Sequence, residues 1–363
     1  MTLPSVKNFN PKSKRVILRV DFNVLFDDGK LEDLHRINKT IPTIEYLHKK
    51  GAKVVLISHL STGKNGSLSS VADYLNSKAS FQVKFIKEKN IDNIKKEIVG
   101  LKDGEAVLLE NIRMHKGEEE NNPDFAKSLA ELGDIYVNEA FSASHRNHAS
   151  VVGLPKLLPS FVGFLFEEEV NGLQSVFAPE HPFLFIIGGI KIETKLGVLD
   201  KFLNIADKIF IGGALANGFL KARCFDIKNS VADEKTPVEK YLNNPKIIFP
   251  EDVRKKDGKN YDIGDKTIIK LLPLIQSAKL ILWNGPMGNI EEYDFDKGTK
   301  IIAEAISNSS AKTIIGGGDT VAVIDDMGIL DKFSFVSTAG GAMLEFLANG
   351  TLPGIEAILK AKH

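Results

Sequence analysis

Short apolar runs alternate with longer segments of helical period along this chain. Residues 16–20, 53–58, 106–109 and 135–138 read as buried strands, and 37–50, 68–77 and 124–132 repeat their apolar residues at helical spacing. A second series follows, with strands predicted over 183–187, 208–211, 246–249, 280–283, 313–315 and 333–336 and helices over 193–206 and 296–306. Strands that are apolar on both faces and separated by helices belong to parallel sheets covered on both sides. The expected fold is α/β, with two lobes, each a Rossmann-like, three-layer parallel sheet covered by helices. The amphipathic stretch 166–177 predicts that an interdomain helix, rather than a flexible linker, joins them. The expected division is 1–164, a connector over 165–178, and 179–350.

A chain of 363 residues suits two hydrophobic cores better than one. Lysine plus arginine and aspartate plus glutamate both total 47, so no global field draws the chain to nucleic acid or membrane. An anionic ligand must therefore be held by a local cluster. The single cysteine, Cys224, excludes an intramolecular disulfide, fits a reducing compartment, and is expected to pack as a small apolar residue. Residues 1–14 have no signal-peptide core. No apolar run approaches the roughly 20 residues of a membrane span, so a cytoplasmic protein is expected.

In open parallel sheets, ligands sit beyond the carboxyl ends of the strands. In the first half those ends carry Asp21 and Asn23, His59, Glu110 to Arg113, and Asn138 with His145, Arg146 and His148, while Arg36 opens the first helix. These are cations and donors suited to an anionic, oxygen-rich ligand. In the second half the ends are glycine-rich: Gly188-Gly189, Gly212-Gly213, Gly285, Gly316-Gly317-Gly318 and Gly340-Gly341. Glycine lets backbone amides approach phosphate oxygens, and a following helix N-terminus favours negative charge. Lys191 and Lys195 follow the first cluster, Glu291 the third, and Asp319-Thr320 ends the fourth, which together describe a nucleotide-phosphate and magnesium site. One arginine alone is a solvated surface charge, and one glycine pair alone is a tight turn. Recurrence at one topological position argues for a site. The phosphate loop Gly-x-x-x-x-Gly-Lys-Ser/Thr, the dinucleotide fingerprint after the first strand, the Gly-x-Ser-x-Gly elbow and zinc-ligand spacing are all absent.

Longer motifs carry a family resemblance. Arg19-Val20-Asp21-Phe22-Asn23-Val24, Glu110-Asn111-Ile112-Arg113, Tyr136-Val137-Asn138-Glu139-Ala140-Phe141 with His145-Arg146, Trp283-Asn284-Gly285-Pro286-Met287-Gly288, Gly316-Gly317-Gly318-Asp319-Thr320 and Ser337-Thr338-Ala339-Gly340-Gly341-Ala342 resemble phosphoglycerate kinase, in order from about residue 15 to the C-terminus. The resemblance implies reversible, direct in-line phosphoryl transfer between 1,3-bisphosphoglycerate and ADP, giving 3-phosphoglycerate and ATP, on hinge closure. It implies Mg2+ with the nucleotide, a monomer, and a tail over 351–363 returning to the first lobe. Carried over by motif, the glycerate contacts are Asp21, Asn23, Arg36, His59, Arg113 and Arg146. The nucleotide contacts are Gly189, Lys191, Lys195, Gly213, Asn284, Pro286, Glu291, Gly316, Gly317, Gly318, Asp319, Thr320, Gly340 and Gly341. Asp319 would hold magnesium and Glu291 the ribose hydroxyls, with Arg36 and Lys191 flanking the moving phosphoryl group as catalytic residues.

The chain also departs from the family pattern. His59-Leu60-Ser61-Thr62-Gly63 stands where His-Leu-Gly-Arg-Pro is usual, so an arginine near the glycerate phosphate is missing. A charge-assisted hydrogen bond is worth about 1.5–3 kcal/mol, or roughly 10- to 150-fold in affinity; Lys64 offers only a point charge in its place. Leu25, Glu139, Ser142, Ile190, Glu193-Thr194 and Ala339 also differ from the family, and 250–265 is shorter. Two alternatives follow: a divergent member with another small anionic acceptor, and a weakly catalytic nucleotide-binding paralogue. Retention of Arg36, Lys191, Lys195 and Asp319 together stands against the second.

Overall fold

The first apolar run forms β1 (Arg15–Arg19), whose side chains alternate between two cores. Val16 and Leu18 pack with Leu47, Leu56 and Leu75, whereas Ile17 packs with Val55, Ile94 and Leu129. A strand buried on both faces needs helices on both. β2 (Lys53–Ile57), β3 (Val83–Ile86), β4 (Ala106–Leu109), β5 (Ile135–Asn138) and β6 (Ser160–Val162) complete a parallel six-stranded sheet in the order β3-β4-β2-β1-β5-β6. Ile17 lies opposite Val55 on one side and Tyr136 on the other.

The second series forms β7 (Phe183–Ile187), β8 (Lys208–Ile211), β9 (Ile247–Ile248), β10 (Leu280–Asn284), β11 (Lys312–Gly316) and β12 (Phe335–Val336). This sheet is also parallel, in the order β9-β8-β7-β10-β11-β12. Ile186, Trp283 and Ile315 share one core with Leu271 and Ile302. On the other face Phe183 and Phe185 hold their rings 5.9 and 5.1 Å from that of Phe202.

This computed structural model describes residues 1–24, 26–27, 30–31, 34–61, 66–190, 193–232 and 237–362, with the backbone alone at 26, 27, 30, 193 and 194. The chain divides into two compact units, Met1–Val170 with Thr351–His363, and Asn171–Gly350. The helix Phe164–Gln174 runs across the boundary, and the buried Glu139 accepts from Leu165 N at its first turn, 3.1 Å away. In the first unit, Pro353–Leu359 forms a helix anchored by Gly354 N donating to Ser144 O at 2.8 Å, with Ala357 against Ala140, Ala143, Val151 and Val152.

The pattern of apolar residues missed β3, β6 and an antiparallel hairpin, Val253–Lys256 with Lys259–Ile263. Cys224 corrects an expectation. It is exposed, in the turn after the helix Leu215–Ala222, rather than packed. Among the described residues no helix is long and apolar enough to cross a membrane.

The strand orders locate the crevices. In the first unit the chain leaves β1 toward β2 on one side and later places β5 on the other. In the second, β8 and β10 flank β7 in the same way. Such a reversal opens a ligand crevice at the carboxyl ends of the strands concerned, here β1 with β5 and β7 with β10.

Candidate active site

In the first unit, Asp21 lies two residues past β1 and is buried. Arg36, in the first turn of the helix Leu34–Lys49, places Nη1 3.2 Å from Asp21 Oδ2 and 3.3 Å from Asn23 O. Ser142, in the turn after β5, donates its hydroxyl to the same Oδ2, and Asn23 N donates to Oδ1 at 3.1 Å. Burial alone would raise the Asp21 carboxyl. Arg36, His59, the Ser142 hydroxyl and Arg19 overcome it and hold the pKa at about 2.

Arg19 Nη2 lies 3.0 Å from His59 Nδ1. A guanidinium can only donate, so Nδ1 accepts and the ring hydrogen belongs on Nε2. Burial and Arg19 push the His59 pKa down to about 3, so the ring is neutral. The Arg19 charge is fully buried; its Nε donates to Ser150 Oγ at 2.9 Å, and Ser150 donates from Oγ and N to Glu118 at 2.6 and 2.9 Å.

Asn23, Ser61 and Arg113 form a chain: Ser61 N donates to Asn23 Oδ1 at 2.7 Å, and Arg113 Nη1 to Ser61 Oγ at 3.2 Å. Arg146 Nε donates to His145 Nε2 at 3.4 Å. Arg113 Nη2, His145 Nδ1 and His148 Nδ1 are buried without a hydrogen-bond partner among the described residues. A buried polar atom left unpaired costs about 1–3 kcal/mol, a cost that an anionic ligand would offset at Arg113. Thr62 and Lys64 lie outside the described residues.

His59 folds with a pKa of about 3, below the unfolded value of about 6.5. The stability it protects is therefore complete above pH 6.5 and is lost as pH falls through 6.5 toward 3. The stability advantage of wild type over His59→Asn is expected to shrink by about 2 kcal/mol between pH 7.5 and 5. Urea unfolding of both proteins at the two pH values checks this; a constant difference would mean that the ring is not held neutral.

In the second unit the strand-end turns are laced together. Gly188 N donates to Asn284 O at 2.8 Å, Gly189 N to Pro286 O at 3.1 Å, Gly213 N to Met287 O at 3.1 Å, and Leu215 N to Gly189 O at 2.7 Å. They enclose a cavity of about 280 Å³ whose wall includes Gly189, Gly213, Pro286, Glu291 and Asp319, with apolar surface from Leu220, Val231, Pro250 and Met287. The helices Gly318–Asp326 and Gly341–Asn349 start just past β11 and β12, with Gly317 and Gly340 as N-caps and no capping side chain. Their first N–H groups and dipoles favour an anion.

Asn284, Lys195, Gly316 to Gly318, Thr320, Gly340 and Gly341 are not on the cavity wall itself. Asn284 Nδ2 lies 3.7 Å from Met343 Sδ on the second of those helices, and Lys195 Nζ comes within 3.2 Å of where a Gly189 Cβ would be. The Thr320 hydroxyl is buried without a hydrogen-bond partner among the described residues. Lys191 lies outside the described residues. Among the described residues no three His, Cys, Asp or Glu side chains converge to cage a metal. A magnesium ion carried by nucleotide phosphates needs only one or two carboxylates, and Asp319, on the wall in the first turn of its helix, fits that need.

Two contributions were not anticipated. Arg19 is the last residue of β1 and is itself fully buried; a charged residue within the apolar run 16–20 was the available signal. Lys259 to Ile263 of the hairpin supply a continuous part of the cavity wall, and their polar sequence gave no such signal.

A family model described as phosphoglycerate kinase matches residues 6–350. Curated relatives include the phosphoglycerate kinases of Leptospira biflexa, 42% identical over 391 aligned positions and 99% of both chains, and of Pseudothermotoga lettingae, 40% identical over 99% of both. The structure of phosphoglycerate kinase from Coxiella burnetii superposes with a TM-score of 0.83 at 33% identity and 99% coverage of both chains; that from Pyrococcus horikoshii gives 0.88 at 31% and 98%. With full-length matches in sequence and in fold, the chain belongs to the phosphoglycerate kinase family, phosphotransferases of glycolysis.

Proposed function

We propose that the chain transfers a phosphoryl group reversibly between ATP and the carboxylate of 3-phosphoglycerate, forming ADP and 1,3-bisphosphoglycerate. The observation that supports this reading is positional: Arg36 meets Asp21 and Asn23 just past β1 in the first unit, and Gly189, Gly213, Pro286, Glu291 and Asp319 line one cavity in the second. Asp21, Asn23, Arg36, His59, Arg113 and Arg146 would hold the glycerate, and the glycine-lined cavity, with the uncapped helix N-terminus that carries Asp319, would hold the nucleotide.

A carboxylate oxygen of the acceptor attacks the γ-phosphorus in line, and the bond from that phosphorus to the β–γ bridging oxygen breaks as ADP leaves. Such chemistry asks the protein mainly for position and charge neutralisation. Arg36 and Lys191 would neutralise the oxygens of the group in flight, and the Nε2–H of neutral His59 would donate to the acceptor. Asp319 and the phosphates would hold Mg2+, which would supply further charge neutralisation. The two residue sets belong to different units, and direct transfer would use both at once, with water kept from the acyl phosphate.

Calorimetric titration with 3-phosphoglycerate tests the acceptor site without turnover. Binding is expected, weakened about 10-fold or more in Arg113→Ala; a wild type that ignores the ligand would contradict the assignment. Ser142 bears on the same site through Asp21. Ser142→Gly is expected to raise the KM for 3-phosphoglycerate by a few-fold to about 10-fold. The kcat and the nucleotide KM should be unchanged, as steady-state kinetics with each substrate varied will show.

A further inference from the structure

Glu118, in the short helix Lys116–Glu119, is a fully buried carboxylate to which the transfer reaction above assigns no part. A charge removed from water is costly unless it is paired and hydrogen-bonded, so its partners define its role. One residue takes both its oxygens. Ser150, in the turn Ala149–Gly153, donates its hydroxyl to Oε1 at 2.6 Å and its N–H to Oε2 at 2.9 Å. Tyr136 fixes the same turn by donating its hydroxyl to Ser150 O at 2.8 Å.

The direction of every bond that follows is forced. A hydroxyl has one hydrogen to give. Ser150 gives it to Glu118, so its Oγ can only accept from Arg19 Nε, 2.9 Å away. The same guanidinium donates from Nη1 to Val20 O and from Nη2 to His59 Nδ1, the latter at 3.0 Å. An imidazole whose Nδ1 accepts carries its hydrogen on Nε2. A single run of bonds therefore leads from Glu118 through Ser150 and Arg19 to His59.

The charges follow the same line. His148 Nδ1 lies 3.8 Å from Glu118 Oε1, but burial and Arg146 press its pKa down to about 4, so that ring is neutral. Burial pushes the Glu118 carboxyl up, and Arg19 is the strongest influence against it. Glu118 and Arg19 are thus buried countercharges bridged by one hydroxyl.

We infer that Glu118 is a positioning residue of the acceptor site: through Ser150 it holds Arg19 in the orientation that keeps His59 in its Nε2–H form. The inference rests on the assignment of His59 to 3-phosphoglycerate. Carboxylate and phosphate oxygens accept hydrogen bonds, so the Nε2–H form can bind them. The other tautomer would turn a lone pair on Nε2 toward the ligand.

Imidazole nitrogen NMR of the full chain, with isotope-labelled histidine and His59 assigned through His59→Asn, reads the tautomer directly. Calorimetry with 3-phosphoglycerate and with MgADP reads its consequence. The wild type is expected to show His59 in the Nε2–H form. Ser150→Ala cuts the run by one oxygen, and Glu118→Gln replaces an acceptor oxygen at its origin by a donating amide. Each should give His59 a mixture of tautomers and weaken 3-phosphoglycerate about 10-fold, with MgADP affinity unchanged; either variant decides alone if the other fails to fold. A merely structural role would lower the unfolding temperature while His59 and the 3-phosphoglycerate affinity stay at wild-type values, and that result would overturn the inference. So would a wild-type ring in the Nδ1–H form, or an affinity that falls while His59 is unmoved. A wild type that does not bind 3-phosphoglycerate would overturn the acceptor assignment instead, and the His59 spectra would still decide whether Glu118 sets the tautomer.

Discussion

Arg36→Ala is expected to lower kcat for phosphoryl transfer by about 10³-fold or more, the scale on which a single arginine acts on a transferring phosphoryl group. Two losses combine. The cation proposed to neutralise the group in flight disappears, and Asp21 keeps a buried carboxylate without its nearest countercharge, now 3.2 Å away. After burial, Arg36 is the largest influence on the Asp21 pKa. Wild-type Asp21, at about 2, contributes stability that is present above the unfolded value near 3.9 and is lost as pH falls toward 2. In the variant the Asp21 pKa rises, so the acid limb of the kcat/KM profile should move to higher pH. Arg36→Lys should fall between the two, because it restores charge without the guanidinium that now reaches both Asp21 and Asn23. Steady-state rates across pH 5 to 8 for the three proteins check this, and a kcat within about 10-fold of wild type in Arg36→Ala would remove Arg36 from the reacting centre.

Gly285→Ala should be the most damaging small substitution in the second unit. Gly285 has φ +92°, a backbone region that side chains rarely adopt, and a Cβ there would stand 2.5 Å from the Gly188 carbonyl carbon. The obstacle is backbone and cannot rotate away. The Gly285 carbonyl also accepts from the indole of the fully buried Trp283 at 2.8 Å, so moving the turn disturbs the core beneath it. Strain and overpacking of this kind cost about 2–4 kcal/mol together. We expect that loss of stability in urea unfolding, with ADP affinity reduced more than 10-fold because the turns of β7 and β10 separate. A variant with wild-type stability and ADP affinity would show that the two turns are not in contact.

What could be read along the chain depended on burial. The central strands β1, β2, β7 and β10 are apolar on both faces, and a fully buried run is visible without any periodicity. β3 and β6 lie at the sheet edges. β3 exposes Lys84 and follows no long apolar run, and β6 is three residues opening on Ser160. The hairpin Val253–Lys256 with Lys259–Ile263 is half-buried and rich in charged and polar residues, so only its cross-strand pairing reveals it.

The candidate sites show the same division. Strand-end residues such as Asp21, Gly189 and Asp319 were reachable because topology fixes where such ends meet. Arg19 and Ser142 act through partners that are distant in sequence. Arg19 reaches His59 and Ser142 reaches Asp21, 40 and 121 residues away, and no local pattern encodes those contacts.

The measurement that tests the central claim most directly is the initial rate of acyl-phosphate formation against 3-phosphoglycerate concentration at saturating MgATP, followed through a coupled reduction. The account predicts saturable turnover that is lost in Lys191→Ala, with a KM raised by the absence of the usual arginine at Thr62. A protein that binds MgATP yet forms no acyl phosphate at any 3-phosphoglycerate concentration would contradict it.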